Sequence, residues 1–164
     1  PSTIIGPVIH EGAAQRLMGV IERAKLESGG QLVAGGKRGQ GDLAAGAYVE
    51  PTVFAGVAHD SHVAREEVFG PVLSIIRFTD DAEAVAMAND SRFGLGAYLH
   101  TRDLARAHIV AGQLQAGCVA INGMLPMAPN LPFGGSKQSG FGREGGRPGL
   151  EEFMQIKQVM LHLP

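Results

Sequence analysis

Between Val72 and Asn122 the chain alternates short β-branched runs with helical stretches, and this alternation narrows the possible folds more than any other feature. Val72–Phe78, with Val72, Ile75 and Ile76, reads as a strand. Asp80 then caps a helix, with Glu83 three residues on as its capping-box partner. Ala84, Val85 and Ala88 fill that helix, which ends near Asn89. Gly96–Thr101 is a second strand. Asp103 caps a second helix with Leu104, Ala107, Ile109, Val110 and Leu114 apolar, Gly117 stops it, and Cys118–Asn122 is a third strand. A β-α-β-α-β order with tight connections predicts parallel strands joined by right-handed crossovers, the basis of an α/β, doubly wound parallel sheet. Ligands in such sheets sit beyond the carboxyl ends of the strands. Here those ends fall near Thr79, Thr101 and Asn122.

The flanks are less regular. Residues 11–28 read as an amphipathic helix, with Ala14, Leu17, Met18, Ile21 and Ala24 on one stripe and Gly29-Gly30 as its stop. Gln31–Ala34 is a short strand, residues 35–46 a Gly-rich loop, and Tyr48–Val57 a strand pair or bend broken by Pro51. Residues 123–149 hold four Pro and eight Gly and read as a long loop. A structureless loop of that length is uncommon and is often functional. Leu150–Ile156 reads as a short helix and Val159–Leu163 as a terminal strand.

Composition removes whole classes of function. Hydrophobic residues are 45% and charged residues 18% of the 164, which excludes a disordered polar tail. A net charge of −2, 5% aromatics and no Trp leave neither a basic footprint nor a stacking surface for nucleic acid. No apolar run approaches the roughly 18 residues that span a bilayer. A single Cys fits a reducing compartment and predicts a cytoplasmic protein. The chain opens Pro1-Ser2-Thr3, not with Met, which predicts a piece of a longer protein.

Several motifs fail on context. Gly140-Phe141-Gly142-Arg143-Glu144-Gly145 matches a dinucleotide fingerprint by letter, but a Gly/Pro loop precedes it and Pro148 soon follows. Gly39–Ala44 is a second chance match. His59 and His62 lack a third ligand nearby, so no metal site is expected. Asn89-Asp90-Ser91 is a glycosylation sequon by letter only. Cys118 heads an apolar strand with no adjacent basic residue, so it reads as a structural buried thiol.

Two segments carry more. In Glu66-Glu67-Val68-Phe69-Gly70-Pro71, two acids precede a strand and an aromatic follows them. A carboxylate accepts hydrogen bonds at two oxygens, which matches a ribose diol, and an aromatic covers a flat ring. A solvated turn with Phe69 in the core is the plainer alternative. In Pro132–Glu144, Gly134, Gly135, Gly140 and Gly142 surround the anchor Phe133 and suggest a backbone held close to something. An ordered surface loop is the alternative there.

Together with Ile5-Gly6-Pro7-Val8-Ile9, Tyr48–Val53, Asn89, Gly94-Leu95, Ala116–Asn122 and Lys157-Gln158-Val159, these segments resemble the aldehyde dehydrogenase superfamily in order and across essentially the whole chain. The resemblance is to the C-terminal part of the catalytic domain, residues 1–156, with 157–164 as the terminal oligomerisation strand. It implies an NAD(P)-dependent oxidation of an aldehyde to a carboxylic acid by a thiolate nucleophile and a Glu general base. The motifs of both groups are missing from this sequence, and Cys118 does not inherit the nucleophile's role. The resemblance therefore implies no catalytic residue here and an inactive isolated chain. It implies that Glu67 binds the nicotinamide-side ribose of NAD or NADP and that Phe69 packs by the nicotinamide. Loop 123–133 would line the substrate entrance with Phe133 closest to the aldehyde, while Lys137 and Gly134-Gly135 brace that loop. Met124–Leu131 lacks the Arg or Ser that would seize a carboxylate, so an uncharged, hydrophobic aldehyde is expected. A homo-oligomer is implied, and the chain alone should expose an apolar patch or an unpaired strand. The alternatives are a freestanding half-domain acting in oligomerisation or protein interaction, and a small hydrolase built on Cys118 and a His.

Overall fold

Helix α1 (Glu11–Glu27) forms on the expected stripe: Ala14, Leu17, Ile21 and Ala24 are buried and Met18 is half-buried. His10 caps it, its Nδ1 accepting from the Ala13 amide at 3.0 Å. The computed structural model describes residues 4–125 and 128–164. The chain divides into two compact units, the first running to Phe78 and the second starting at Thr79. The boundary expected at 156/157 thus falls inside the second unit.

The first unit packs α1 beside a three-stranded sheet, β1 (Gln31–Ala34), β2 (Thr52–Ala55) and β3 (Val72–Ile75), in that order. β1 and β2 are antiparallel, and β2 and β3 are parallel from Thr52↔Val72 to Ala55↔Ile75. Leu17, Ile21 and Phe54 are fully buried at the centre of the core, with Val49, Val57 and Val63 around them. The buried Thr52 hydroxyl donates to the Glu50 carbonyl at 2.8 Å and accepts from the Gly36 amide at 2.9 Å, so it costs nothing unsatisfied. β3 stops three residues before the expected Phe78. Its partner β2 ends at Ala55, and Gly56, at φ +71°, turns the chain away. Pro51 separates β2 from an isolated Arg38–Val49 bridge, and a single 3₁₀ turn (Gly41–Leu43) sits in the Gly-rich loop. A four-residue helix, α2 (His62–Arg65), leads toward β3.

In the second unit, β5 (Gly96–Leu99), α4 (Leu104–Gln113) and β6 (Cys118–Ile121) form a parallel β-α-β crossover, with Gly96↔Cys118 and Leu99↔Ile121 in register. α3 (Asp81–Asn89) and the short antiparallel pair β4 (Phe93–Gly94) and β7 (Ser136–Lys137) complete its frame, with α5 (Gly146–Glu151) beyond. The expected run of three successive parallel strands is therefore divided. β3 pairs with β2 in the first unit, and β5 with β6 in the second.

The capping predictions hold at atomic level, with one change. Asp80 Oδ1 accepts from the Glu83 amide at 2.9 Å and Asp103 Oδ1 from the Arg106 amide at 3.0 Å. Glu83 reaches one residue further back than a capping box requires. Its Oε2 accepts from both the amide (2.7 Å) and the hydroxyl (2.6 Å) of Thr79. On α4, Ala107 and Val110 are buried, while Leu104 and Ile109 face solvent. α5 starts and ends earlier than the expected 150–156. Pro148 lies in its first turn, where a missing N–H is no loss, so the proline is accommodated in the helix and does not break it. Val159–Leu163 forms no strand here: a strand needs a neighbouring ladder, and these residues have none in the isolated chain.

Candidate functional site

In the first unit the segment after α2 is held from two sides. Arg16 on α1 reaches across, and its Nη2 donates to the Val68 carbonyl at 2.8 Å and more weakly to that of Phe69 at 3.4 Å. At the far end the Pro71 carbonyl accepts from the Thr52 amide at 2.8 Å. Gly70 lies against Leu17: a Cβ there would come within 2.5 Å of Leu17 Cδ2, and the buried leucine has nowhere to go. Between these anchors Phe69 takes φ +50°, a left-handed conformation rare for an aromatic residue. Its ring is not in the core but 79% exposed, and the Glu67 carboxylate is exposed two residues before it. The plain turn reading fails on Phe69. The loop spends backbone strain to present an acid and a ring to its surroundings.

In the preceding turn one of the two histidines meets an arginine. Arg65 Nη1 lies 3.2 Å from His59 Nε2. A guanidinium only donates, so His59 Nε2 is the acceptor in this contact. Among the described residues no group of three His, Cys, Asp or Glu is placed to hold an ion.

In the second unit the carboxyl ends of β5 and β6 are tied by one side chain. Asn122, at φ +55°, donates from Nδ2 to the Thr101 carbonyl at 2.7 Å and accepts at Oδ1 from the Thr101 amide at 2.9 Å. Asn89 does the same for the ends of α3 and α4: its Nδ2 donates to the Gln113 carbonyl and its Oδ1 accepts from the Gln115 amide, both at 2.8 Å. Its amide is committed to structure.

Phe133 stands at the neck of the Gly-rich loop. Its amide and carbonyl pair with those of Glu144 at 2.7 and 2.8 Å. Inside the neck, Arg143 Nη1 donates to the carbonyls of Gly135 (2.7 Å) and Gly142 (2.6 Å), pinning both arms with one guanidinium. Lys137, at φ +55°, donates from Nζ to the carbonyls of Asn89 (2.7 Å) and Ser91 (3.0 Å), where its charge complements the C-terminus of α3. Gly117 underlies the loop so closely that a Cβ would fall 1.8 Å from the Gly134 carbonyl oxygen. Half-buried Phe133 and half-buried Cys118 line a common cavity of about 570 Å³. Cys118 is thus less enclosed than the buried thiol expected.

Glu67 and Phe69 belong to the first unit and Phe133 to the second. Pro126 and Met127, within the expected entrance loop, lie outside the described residues. Arg16 escaped sequence reasoning, and Asn122 stood there only as a strand end. Arg16 gives no local sign, because its partners lie 52 and 53 residues away. Arg143 was in view only as part of a glycine pattern.

Comparison with known proteins gives a consistent answer. Betaine aldehyde dehydrogenase of Rhizobium leguminosarum bv. trifolii is 45% identical over 158 residues, covering 96% of this chain and 32% of that protein. The protein of the same name from Cereibacter sphaeroides is 45% identical over 159 residues, covering 97% and 32%. The crystal structure of an aldehyde dehydrogenase from Mycobacterium tuberculosis, complexed with NAD+, superimposes with a TM-score of 0.92 at 42% identity, covering 99% of this chain and 33% of that one. HpcC from Thermus thermophilus also matches at 0.92 and 42%, covering 100% and 33%. The chain thus spans about a third of the length of the relatives it matches. The aldehyde dehydrogenase family model matches residues 1–159, and to that family the chain belongs.

Proposed function

We propose that the chain is the C-terminal part of an NAD(P)-dependent aldehyde dehydrogenase, supplying part of its cofactor and aldehyde sites. The observation that carries this reading is the 66–71 loop, which holds an exposed carboxylate and an exposed ring two residues apart on a braced, strained backbone. An acceptor beside a flat ring fits a nicotinamide nucleotide. Glu67 accepts hydrogen bonds from the two ribose hydroxyls, and Phe69 lies beside the flat base. The bound cofactor supplies the hydride acceptor. Phe133 lines the path of the aldehyde. No nucleophile or general base is assigned within these 164 residues, so the isolated chain turns nothing over. The relatives are named for betaine aldehyde, a quaternary ammonium aldehyde; for this chain the reading extends to a small-molecule aldehyde.

Residues 157–164 supply a strand to a homo-oligomer. Val159, Met160, Leu161 and Leu163 are all largely exposed, apolar surface that an added strand ladder would cover. Among the described residues no helix is long and apolar enough to cross a membrane, and a cytoplasmic enzyme fits the lone thiol. The test uses the full-length enzyme. Glu67→Gln should raise the KM for NAD or NADP about tenfold or more, since each hydrogen bond to a charged acceptor is worth about 1.5–3 kcal/mol, while the KM for aldehyde stays near its starting value. An unchanged cofactor KM removes Glu67 from the site.

A further inference from the structure

The 66–71 loop is fixed at its ends by backbone and in its middle by a side chain of another element. At its start the Glu66 amide donates to the His62 carbonyl at 3.0 Å, closing α2. At its end the Val72 amide donates to the Gly70 carbonyl at 2.8 Å, and Leu17 packs where a Cβ on Gly70 would sit. Between them the carbonyls of Val68 and Phe69 both accept from Arg16 Nη2, at 2.8 and 3.4 Å. These carbonyls belong to the two rigid peptide planes on either side of the Phe69 α-carbon, and φ and ψ of Phe69 are the angles that relate those planes. One nitrogen holding both planes therefore acts on the very torsions that are strained, with φ at +50°.

That strain gives the brace a consequence for binding. A residue other than glycine at positive φ is disfavoured about fivefold or more when nothing holds it there. A ligand that binds one conformation binds more weakly in proportion to the fraction of molecules that lack it. Arg16 is itself exposed and stands off the buried stripe of α1, so its loss opens no cavity in the core. Resting on the function proposed above, we infer that Arg16 is a positioning residue for the cofactor. It acts on the loop and not on the nucleotide, and it sets cofactor affinity by holding Phe69 in the conformation that presents its ring.

The experiment uses the full-length enzyme. Arg16→Ala should raise the dissociation constant for NAD or NADP, measured by calorimetry, about tenfold, the lower end for a hydrogen bond from a charged donor. At saturating cofactor kcat should stay within about twofold, because excess ligand refills the bound conformation. The melting temperature should stay near its starting value. Added to Phe69→Gly, the same Arg16→Ala should cost only about twofold, because glycine takes φ +50° without penalty and leaves little strain to hold. A loss carried by kcat or by the melting temperature, with the dissociation constant unchanged, overturns the inference. A full tenfold loss that persists beside Phe69→Gly also overturns it, since Arg16 would then act on the cofactor itself. Glu67→Gln separates this failure from that of the proposed function. If Glu67→Gln weakens cofactor binding and Arg16→Ala does not, only the positioning role falls; if neither does, the loop is no cofactor site.

Discussion

The two units reach order by different means. The first is organised around an apolar core: Leu17, Ile21 and Phe54 are fully buried among other apolar side chains beside a three-stranded sheet. In the second, the buried apolar side chains among the described residues are Ala107, Val110 and Ala120, all small or medium in size. Its loops are positioned by polar side chains that grip backbone (Asn89, Asn122, Lys137 and Arg143) and by glycines pressed against carbonyls. Apolar burial is non-directional and tolerates small displacements. A hydrogen bond to a carbonyl fixes direction as well as distance. A loop that must hold one ring at one place is better served by the second means.

The largest expected effect is on the apolar side of this contrast. Phe54→Ala should cost about 3–5 kcal/mol and raise hydrogen exchange first along α1 and β2, as followed by mass spectrometry on the full-length enzyme. Protection of α1 that survives the substitution would mean that the core is not what holds the first unit. Next comes Gly117→Ala, which drives a methyl into the Gly134 carbonyl. We expect a cost of about 1–3 kcal/mol together with a raised KM for aldehyde, because the loop bearing Phe133 must move. A fall in melting temperature with an unchanged KM would separate the glycine contact from the site. The smallest effect is electrostatic. The Thr79 hydroxyl and amide hold the Glu83 carboxyl below the usual carboxylate range. A depressed folded-state pKa contributes stability above the unfolded value of about 4.3, and that contribution is lost as pH falls through the folded value. Thr79→Val should move the Glu83 titration, read by carboxyl-carbon NMR, back toward that value; a curve that does not move would show the hydroxyl to be idle.

Local features were legible in the sequence where the determinants are local. The α1 stripe, both Asp caps and the β5-α4-β6 crossover follow from spacing within one helix or one continuous strand-helix-strand unit. Pairing across irregular chain was not. The partner of β3 is β2, which lies upstream of it across the short helix α2, so a reading that ran forward from Val72 looked for its neighbours on the wrong side. The plainer reading put Phe69 in the core, because a single aromatic before a strand has no period to orient it. Its exposure follows from Gly70 pressing on Leu17 and from Arg16 gripping the loop, contacts that link helix and loop across more than fifty residues. The helix at Pro148 was displaced by reading proline as a breaker where it stands in a first turn.

The left-handed backbone of Phe69 sets two kinds of selection against each other. Glycine adopts φ +50° without penalty, whereas a larger residue held there costs about 1 kcal/mol or more. A screen for heat resistance alone would therefore reward Phe69→Gly, gaining robustness and discarding the ring proposed to lie beside the cofactor. A lineage under pressure for turnover must keep the less comfortable residue and find its margin of stability elsewhere, and the buried face of α1 is the nearest place to look for it.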